Sequence, residues 1–572
     1  MINITINNKA VSVPEGTTIV NAAKKIGINI PTLCYHPDQM LKANCRVCVV
    51  EIEGYRTLQT ACSTFVKEGM IIHTNTEKVR DARRVVVELM LADHNLACDT
   101  CAAESYCHLR RIASDLGVRE PRFERVLVPY APHINDVLSK DRTKCIKCGR
   151  CIQICAEVQG LSILDFMGRS NETIVGPAFD SELYDVACVS CGQCSAACPV
   201  GAITEKEDIE SVWAAINDPN KVVVVQTAPA VRVAIGEEFG MEPGSIVTGQ
   251  LVSSLRMLGF DYVFDTDFTA DLTIIEEGHE LLKRLKEGGT LPMLTSCSPG
   301  WINFIEQYYP ELLPHVSSCK SPQQMFGALA KGYFPEKIGK KPSDIVSVSI
   351  MPCTAKKFEA LREEMSVDGV NQDVDIVLTT RELGKMLRQA GIDFENLPED
   401  EYDAPFGIST GAAVIFGATG GVMEAALRTV YEVVTGKTLE QIDFKDVRGL
   451  KGVKEAVVDL DGTPVKVAVV HTIAKAREMM ELIKAGKADY TFIEVMCCPG
   501  GCIGGGGQPN GANDELRLKR IAGIYQADAD LPIRKSHENP AIKSIYDDFL
   551  KEPLGEKSHH LLHTHYKNRK KQ

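Results

Sequence analysis

Apolar and polar residues alternate along the first residues of the chain, MINITINNKAVSV, as they do in half-buried β-strands. A turn signal follows at Pro14-Glu15-Gly16, after which Ile19, Ala22, Ala23 and Ile26 recur at helical spacing. The pattern predicts a β-hairpin followed by a helix.

The hydrophobic pattern changes from about Ile209 onward to alternating strands and helices. The apolar runs KVVVVQTAPAV and DIVSVSIMPC predict strands, and the segments GHELLKRLKEGG and AKAREMMELIKAGKA predict amphipathic helices that end at glycine. We therefore expect an α/β domain with parallel sheets, whose ligands gather on the loops beyond the carboxyl ends of the strands.

Length and composition indicate a multidomain globular protein. The chain has 572 residues, of which 44% are hydrophobic and 24% charged, and it is long for a single core. Its net charge of -13 argues against a nucleic-acid or anionic-membrane surface, since both attract a basic face. No apolar run approaches the roughly 18 residues of a membrane-spanning helix, and the first residues lack the form of a signal peptide. We expect a cytoplasmic protein.

The 21 cysteines are unevenly distributed, which adds metal chemistry to this picture. Fifteen of them lie between Cys34 and Cys198, and six are spread over the rest of the chain. Because a cytosolic compartment keeps thiols reduced, clustered cysteines there indicate metal binding or catalysis rather than disulfides.

The first four cysteines surround the predicted strand VCVVEIEG with C-x10-C-x2-C-x13-C spacing; they are Cys34, Cys45, Cys48 and Cys62. Four thiolates on a β-grasp loop fit a 2Fe-2S cluster, although the first gap is wider than in the plant-type pattern. A structural zinc ion held by the same thiolates is the alternative.

The next group combines one histidine with three cysteines in segments that otherwise look helical: His94, Cys98, Cys101 and Cys107. One imidazole and three thiolates bind either zinc or a 4Fe-4S cluster, and the spacing does not choose between them.

Two matched C-x2-C-x2-C-x3-C runs follow, CIKCGRCIQIC and CVSCGQCSAACP. In bacterial two-cluster ferredoxins the fourth cysteine of each run ligates the cluster of the other run. The first predicted 4Fe-4S cluster therefore has the ligands Cys145, Cys148, Cys151 and Cys198, and the second has Cys188, Cys191, Cys194 and Cys155. The front third of the chain is predicted to hold about four iron-sulfur centres that carry single electrons.

Three loops of the α/β region, TSCSPGW, MPCTAKKFE and FIEVMCCPGGCIGGGGQP, resemble the signature loops of the FeFe-hydrogenases. The order of the modules resembles the large clostridial-type enzymes or the catalytic subunit of an NAD(P)-coupled complex. The resemblance implies an H-cluster: a 4Fe-4S cluster joined to a diiron unit with CO, cyanide and azadithiolate ligands, where protons and electrons combine to H2. It implies Cys353, Cys498 and Cys502 as ligands of the 4Fe-4S part, with Cys502 bridging to the diiron unit.

The resemblance also implies roles for residues around the diiron unit. Lys356 corresponds to a residue that hydrogen-bonds a cyanide ligand, and an anionic ligand would offset the cost of burying its ammonium group. Met351 and Met496 correspond to methionines that line the pocket with soft, polarizable side chains.

A proton relay is implied by five further matching positions: Cys297, Glu277, Ser317, Glu280 and Arg284. The segment TIIEEGHELLKR places Glu277, Glu280 and Arg284 on one helical face, at i, i+3 and i+7. Without the resemblance, such a face is typical of a solvated surface.

The first loop departs from the common family form TSCCPGW at Ser298, where the family has the fourth ligand of the 4Fe-4S cluster. In register, Cys297 is the relay cysteine. Iron-sulfur clusters favour soft thiolates, and a hydroxyl is far harder to deprotonate than a thiol, whose pKa is about 8.5. The fourth ligand stays open between Cys297, Ser298 and Cys497.

The implied partners are H2 and protons, ferredoxin or flavin- and NAD(P)-binding subunits, and proteins that insert the diiron unit. The segment GISTGAAVIFGATGGVMEAALR matches neither common phosphate-binding glycine motif, so we expect no NAD or flavin site here and read it as a close approach to the active cluster.

Three alternatives remain at this stage. The front modules alone also resemble the iron-sulfur arms of complex-I-type and formate dehydrogenase chains, which indicates a non-catalytic electron-transfer subunit. An H2 sensor would keep the clusters but alter the relay, and eukaryotic cytosolic iron-sulfur assembly factors share the fold without a diiron unit.

The predicted fold class is multidomain α+β and α/β. Its predicted parts are a β-grasp 2Fe-2S domain (1–78), a one-histidine three-cysteine 4Fe-4S domain (79–126), a two-cluster ferredoxin domain (127–208), a hydrogenase catalytic domain (209–530) and a small-subunit-like helical tail (531–572). The ending KSHHLLHTHYKNRKKQ is predicted to be a solvated amphipathic tail.

Overall fold

The structure is a computed structural model that describes residues 1–124, 130, 132–367, 369–460 and 462–570. The predicted domain boundary between residues 126 and 127 lies outside the described residues. Within the described ranges, no helix is long and apolar enough to cross a lipid bilayer.

The N-terminal region contains a small sheet with a helix against it, and its elements are β1 (Ile2–Ile6), β2 (Lys9–Val13), α1 (Ile19–Lys25), β3 (Val49–Ile52), β4 (Gln59–Thr60) and β5 (Ile71–His73). The strand order is β2-β1-β5-β3-β4. The predicted hairpin and helix are confirmed, but β1 turns into β2 at Asn7 and Asn8, which both have positive φ. Asn tolerates that conformation in two-residue hairpins. Apolar residues of α1 pack on the sheet to form the core of this region.

Short elements make up the rest of the cysteine-rich region: α2 (Glu77–Ala92), α3 (His108–Asp115), β6 (His133–Ile134), β7 (Leu138–Lys140), α4 (Arg150–Gln153), β8 (Asp165–Met167), β9 (Ile174–Gly176), α5 (Gln193–Ala197) and β10 (Ile203–Glu205). One apolar cluster joins α2 and α3 to cysteines of the N-terminal sheet and of the two matched runs, so these modules pack on one another.

The catalytic region has two four-stranded sheets, built from β11 (Val222–Thr227), β12 (Tyr262–Asp265), β13 (Met293–Leu294), β14 (Ile345–Met351), β15 (Ile376–Thr379), β16 (Val453–Leu460), β17 (Thr463–His471) and β18 (Phe492–Met496). The first sheet, in the order β12-β11-β14-β15, is wholly parallel. The second, in the order β13-β18-β17-β16, is parallel except for the edge hairpin of β16 and β17. The prediction of parallel sheets is confirmed for the first sheet. For the second sheet it did not include the antiparallel pair of β16 and β17.

Helices cover these sheets: α6 (Ile209–Ile216), α7 (Thr248–Leu258), α8 (Thr266–Glu287), α9 (Pro299–Tyr308), α10 (Pro322–Gly332), α11 (Phe334–Lys337), α12 (Ala355–Ala360), α13 (Thr380–Gln389), α14 (Gly411–Val414), α15 (Gly421–Thr435), α16 (Ile473–Lys484), α17 (Asp514–Asp530), α18 (Pro540–Ile545) and α19 (Glu556–Leu562). The two helices predicted from amphipathic pattern are α8 and α16. Gly288 and Gly486 follow their ends with positive φ, the conformation that glycine adopts without steric cost.

The prediction of a solvated tail is wrong for residues 561–564, whereas residues 565, 567, 568 and 570 are exposed. Leu561, Leu562, His563 and Thr564 are buried, and the two leucines join an apolar core with residues of α8 and α10. The backbone N–H of Thr564 donates to the Ser318 carbonyl at 2.8 Å, so this segment adds a short strand-like contact to the catalytic region. Leu561 and Leu562 are flanked by histidines, and two apolar residues are too few to show a periodic pattern that would predict their burial.

Candidate active site and cluster-binding sites

Three parallel strands deliver the cysteine-containing loops to one cavity. Cys297 follows β13, Cys353 follows β14, and Cys498 follows β18. Because the carboxyl ends of the parallel strands face the same way within each sheet, the loops meet where the two sheets adjoin. Their side chains line a single cavity together with Cys502.

The cavity is mostly apolar, and its polar lining consists of its thiols with Thr266, Ser298, Gln323 and Lys356. Met351 and Met496 are buried and line it, as does Phe416 from the glycine-rich segment. The backbone of Thr419 in that segment lies so close to Gly501 that a Cβ there would be 2.6 Å from the Thr419 nitrogen. The glycine-rich segment therefore makes the predicted close approach to the cavity.

Three thiols in this cavity lie within electrostatic reach of one another. Cys353 is affected by Cys498 and Cys502. Burial raises the pKa of Cys353, and it raises the pKa of Cys502 to about 12. Buried thiolates are costly without a cation, and iron-sulfur clusters provide the cationic, thiophilic partner that this set fits.

Lys356 is buried at the edge of the cavity and already has an anionic partner. Its Nζ lies 2.9 Å from Oε2 of Glu359, one turn further along α12, and donates to the Cys297 carbonyl at 3.2 Å. Glu359 also accepts hydrogen bonds from Ser321 and Gln323. A cluster ligand was the predicted counter-charge of Lys356, and Glu359 was not among the predicted site residues.

The five predicted relay residues are adjacent in the structure. Glu277 interacts electrostatically with the Cys297 thiol and hydrogen-bonds with Ser317. The Ser317 hydroxyl donates to Oε2 of Glu280 at 2.9 Å, and Arg284 contacts Oε1 of the same carboxylate at 2.6 Å. These residues form a file from the cavity along α8 to the partly exposed Arg284.

The carboxyl groups of this file are buried. The spacing of charged residues along the helix, taken without the family resemblance, had indicated a solvated surface instead. Burial, reinforced by the nearby Glu280 carboxylate, raises the pKa of Glu277 to about 8. Burial and the Glu277 charge raise the pKa of the Cys297 thiol well above its ordinary value. Both groups therefore hold protons at neutral pH.

The N-terminal cysteine group is compact. The Cys34 thiol hydrogen-bonds with Cys45 and Cys62, and Cys48 hydrogen-bonds with Cys62. All four cysteines are buried. These contacts hold the pKa of Cys34 far below its ordinary value and lower that of Cys48 to about 7, whereas they raise the pKa values of Cys45 and Cys62. Four buried thiolates would need a metal cation to balance their charge.

The one-histidine group is looser. Cys107 lies within electrostatic reach of Cys101 and Cys98. His94 is buried and hydrogen-bonds with the Lys144 backbone, and burial lowers the pKa of its imidazole to about 4. A neutral imidazole is the form that binds a metal.

The two matched runs cross over in space. Cys198 shares one cavity with Cys145, Cys148 and Cys151. Cys155 shares another cavity with its partners from the second run, which are Cys188, Cys191 and Cys194. The structure therefore groups these cysteines in the two sets that the sequence predicts.

Family models match the chain in five places. They are "Iron only hydrogenase large subunit, C-terminal domain" at 221–506, "Iron hydrogenase small subunit" at 514–569, "2Fe-2S iron-sulfur cluster binding domain" at 1–77, "NADH-ubiquinone oxidoreductase-G iron-sulfur binding region" at 83–122 and "4Fe-4S dicluster domain" at 144–202.

The similarity to known proteins extends over the full length. The chain is 50% identical to the NADP-reducing hydrogenase subunit HndD of Solidesulfovibrio fructosivorans, with 100% of both chains covered. It is 41% identical to iron hydrogenase 1 of Clostridium pasteurianum, with 99% of this chain and 100% of that one covered. The chain belongs to the iron-only hydrogenase family. This hydrogenase also resembles the solved [FeFe]-hydrogenase HydA1 of Chlamydomonas reinhardtii, with a TM-score of 0.58 and 45% identity over 64% of this chain and 100% of that one.

These similarities decide between several alternatives. This hydrogenase is an oxidoreductase that acts on H2 and relays electrons through N-terminal iron-sulfur domains, rather than a non-catalytic carrier. At both N-terminal cysteine groups the matched families are iron-sulfur families, which favours clusters over zinc.

The hydrogenase has a buried network beside the relay that the sequence did not reveal. Oε2 of Glu280 also accepts a hydrogen bond from the Ser318 hydroxyl at 3.2 Å, and that hydroxyl lies 2.9 Å from Nδ1 of His563. Nε2 of His563 lies 3.1 Å from Oε2 of Glu276. The other oxygen of this carboxylate, Oε1, accepts a hydrogen bond from the Tyr546 hydroxyl. The C-terminal segment thus helps to position the Glu280 carboxylate at the middle of the file. Hydrophobic periodicity does not predict a contact between residues so far apart in the sequence.

Proposed function

We propose that this hydrogenase holds its H-cluster in the cavity beyond β13, β14 and β18. Cys353, Cys498 and Cys502 would hold its 4Fe-4S part, and Cys502 would also contact the diiron unit. The supporting observation is that three mutually close thiols and the inner end of a buried acid file meet at one apolar cavity.

The bound H-cluster supplies the electrons and the metal site at which protons and H2 interconvert. The surrounding residues prepare its environment. Lys356, held by Glu359, presents its remaining N–H to an anionic ligand such as cyanide. Met351, Met496 and Phe416 keep water away, which strengthens every charge interaction in the cavity.

Protons travel along the file in single transfers between neighbouring atoms. Once the Cys297 thiol has given its proton to the cavity that it faces, protonated Glu277 reprotonates the Cys297 sulfur. The Glu277 carboxylate that results takes the proton of the Ser317 hydroxyl, as that hydroxyl receives a proton from Glu280, which has taken it from the outer end of the file. Arg284 orients Glu280 at the outer end and stabilises its charged form.

Electrons travel through the N-terminal modules. We infer one 2Fe-2S cluster in a β-grasp domain, one 4Fe-4S cluster held by His94 with three cysteines, and two 4Fe-4S clusters in a two-cluster ferredoxin domain. The module order along the chain and the crossing of the two cysteine runs support this assignment.

One relative supports a proposal for the electron partner of this hydrogenase. HndD is a subunit of an NADP-reducing hydrogenase and matches this chain over its full length. We infer that this hydrogenase works with flavin- and NAD(P)-binding subunits or with ferredoxin, and that separate maturation proteins insert its diiron unit.

Three measurements test these proposals. The full chain produced without diiron maturation should carry about 18 iron atoms, from one 2Fe-2S and four 4Fe-4S clusters. After maturation it should evolve H2 from reduced methyl viologen, and the protein isolated from its native cells should bring flavin-containing subunits with it. A matured chain without H2 turnover would overturn the catalytic proposal, and isolation without flavin subunits would favour ferredoxin.

A further inference from the structure

We propose that Cys497 supplies the fourth thiolate of the active-site 4Fe-4S cluster, in the place that Ser298 leaves without a sulfur. This inference rests on the proposed H-cluster site, which assigns three cysteines to a cluster that takes four ligands. The fourth ligand must come from the same cavity. Besides the three assigned ligands, that cavity is lined by Cys191, which belongs to the second ferredoxin-type set, and by Cys297, Ser298 and Cys497.

Cys497 and Ser298 occupy the same corner of the cavity. The backbone N–H of Cys497 donates to the Ser298 hydroxyl oxygen at 3.2 Å. Cys497 comes directly after β18, and Ser298 directly precedes α9. A thiol at 497 can therefore take the position of a thiol at 298 without any change in the path of the backbone.

The Cys497 sulfur points toward other sulfurs. Its thiol hydrogen-bonds with Cys498, an assigned ligand, and with Cys191. The side chain is 4% exposed. Space for it depends on Gly300, since a Cβ at that position would lie 2.7 Å from the Cys497 sulfur. The loop TSCSPGW thus leaves room for a thiol that comes from the neighbouring loop.

The two other candidates are occupied differently. The Ser298 oxygen is a hard donor that already accepts a backbone hydrogen bond, and its hydroxyl resists deprotonation. Cys297 faces Glu277, and its carbonyl accepts a hydrogen bond from Lys356, which holds its peptide in place. Turning the Cys297 thiol to the cluster would break the proton file at its inner end.

The assignment also joins two clusters. Cys191 belongs to the second ferredoxin-type set, and its thiol touches that of Cys497. With Cys497 as a ligand, the second ferredoxin-type cluster and the active-site cluster are linked through two adjacent cysteine sulfurs.

The test uses the full chain produced without diiron maturation, so that the result does not depend on H2 turnover. Cys497→Ala should lose about four iron atoms, or about one with the appearance of a 3Fe-4S electron paramagnetic resonance signal. Ser298→Ala should keep the parent iron content and spectrum. The double variant Ser298→Cys with Cys497→Ala should regain the lost iron, because the sulfur returns to the same corner.

Controls separate this proposal from misfolding and from the proposed function. Cys319→Ala removes a buried cysteine of the same region outside the cavity and should keep all iron. The spectra of the accessory clusters report whether each variant is folded. Iron loss in Ser298→Ala or Cys297→Ala with full iron in Cys497→Ala would overturn the proposal. A parent chain with about 14 iron atoms and no active-site cluster would instead overturn the proposed H-cluster site.

Discussion

At the scale of single residues, Glu277 is a member of the proton file whose pKa is strongly raised by burial. Its carboxyl group lies between Cys297 and Ser317, and burial with the neighbouring Glu280 charge raises its pKa to about 8. A carboxyl with a raised pKa stays protonated at pH 7 and loses its proton only as the pH rises through about 8. It can therefore donate a proton to the cavity at neutral pH.

We expect an infrared band from a protonated carboxyl group at pH 7 that disappears as the pH rises through about 8. The band should be absent from Glu277→Gln at every pH, because the amide does not titrate. Difference spectra recorded across the pH range measure this. A band that survives in Glu277→Gln would show that another buried acid produces it.

Ser317 links the two carboxyl groups, so its removal should interrupt the file. We expect Ser317→Ala to lower H2 turnover by about 100-fold or more, the range of a lost positioned proton-transfer group, with unchanged iron content. Ser318→Ala is the matched control, because Ser318 contacts the same Glu280 carboxylate from outside the file. Equal turnover in the two variants would contradict the relay.

At the scale of elements, the ends of β13, β14 and β18 position the chemistry. Each strand is largely buried, and each is followed within three residues by a loop cysteine. The C-terminal segment also supports the active-site region, because residues 562–564 pair with residues 318–320, next to Ser317. The small-subunit match at 514–569 covers this segment.

We expect His563→Ala to destabilise the catalytic region by about 3 kcal/mol, since it leaves the buried Glu276 carboxylate without its imidazole partner. His560→Ala, an exposed position in α19, should change stability by less than about 0.5 kcal/mol. Thermal unfolding of both variants with matched iron content measures the difference. Equal melting temperatures would contradict a structural role for the segment.

At the scale of the whole molecule, the second ferredoxin-type site docks directly on the active-site loops. Gln193 donates to the Gly504 carbonyl at 2.8 Å, and Thr354 donates to the Ser190 carbonyl at 2.8 Å. A buried ion pair between Arg381 and Glu205 adds to this contact. The electron path therefore enters the cavity from the Cys191 side.

We expect Cys194→Ser to impair electron exit while sparing chemistry at the active site. Oxidation of H2 by an external acceptor should fall, whereas isotope exchange between H2 and D2O, which needs no external electrons, should continue. The two rates measured on one preparation test this. Equal loss of both rates would indicate that the variant damages the active site.

Much of this architecture is determined by sequence alone. The spacing of the two matched cysteine runs predicts the ligand sets of the ferredoxin-type clusters, and the apolar runs of β11 and β14 predict strands because most residues of a buried strand are apolar. Tertiary structure alone decides the rest. His563 reaches Glu276 and Cys497 reaches Ser298 from distant parts of the chain, so no sequence pattern predicts these contacts. Such contacts depend on how the loops and helices pack, and a linear pattern records only the neighbours along the chain.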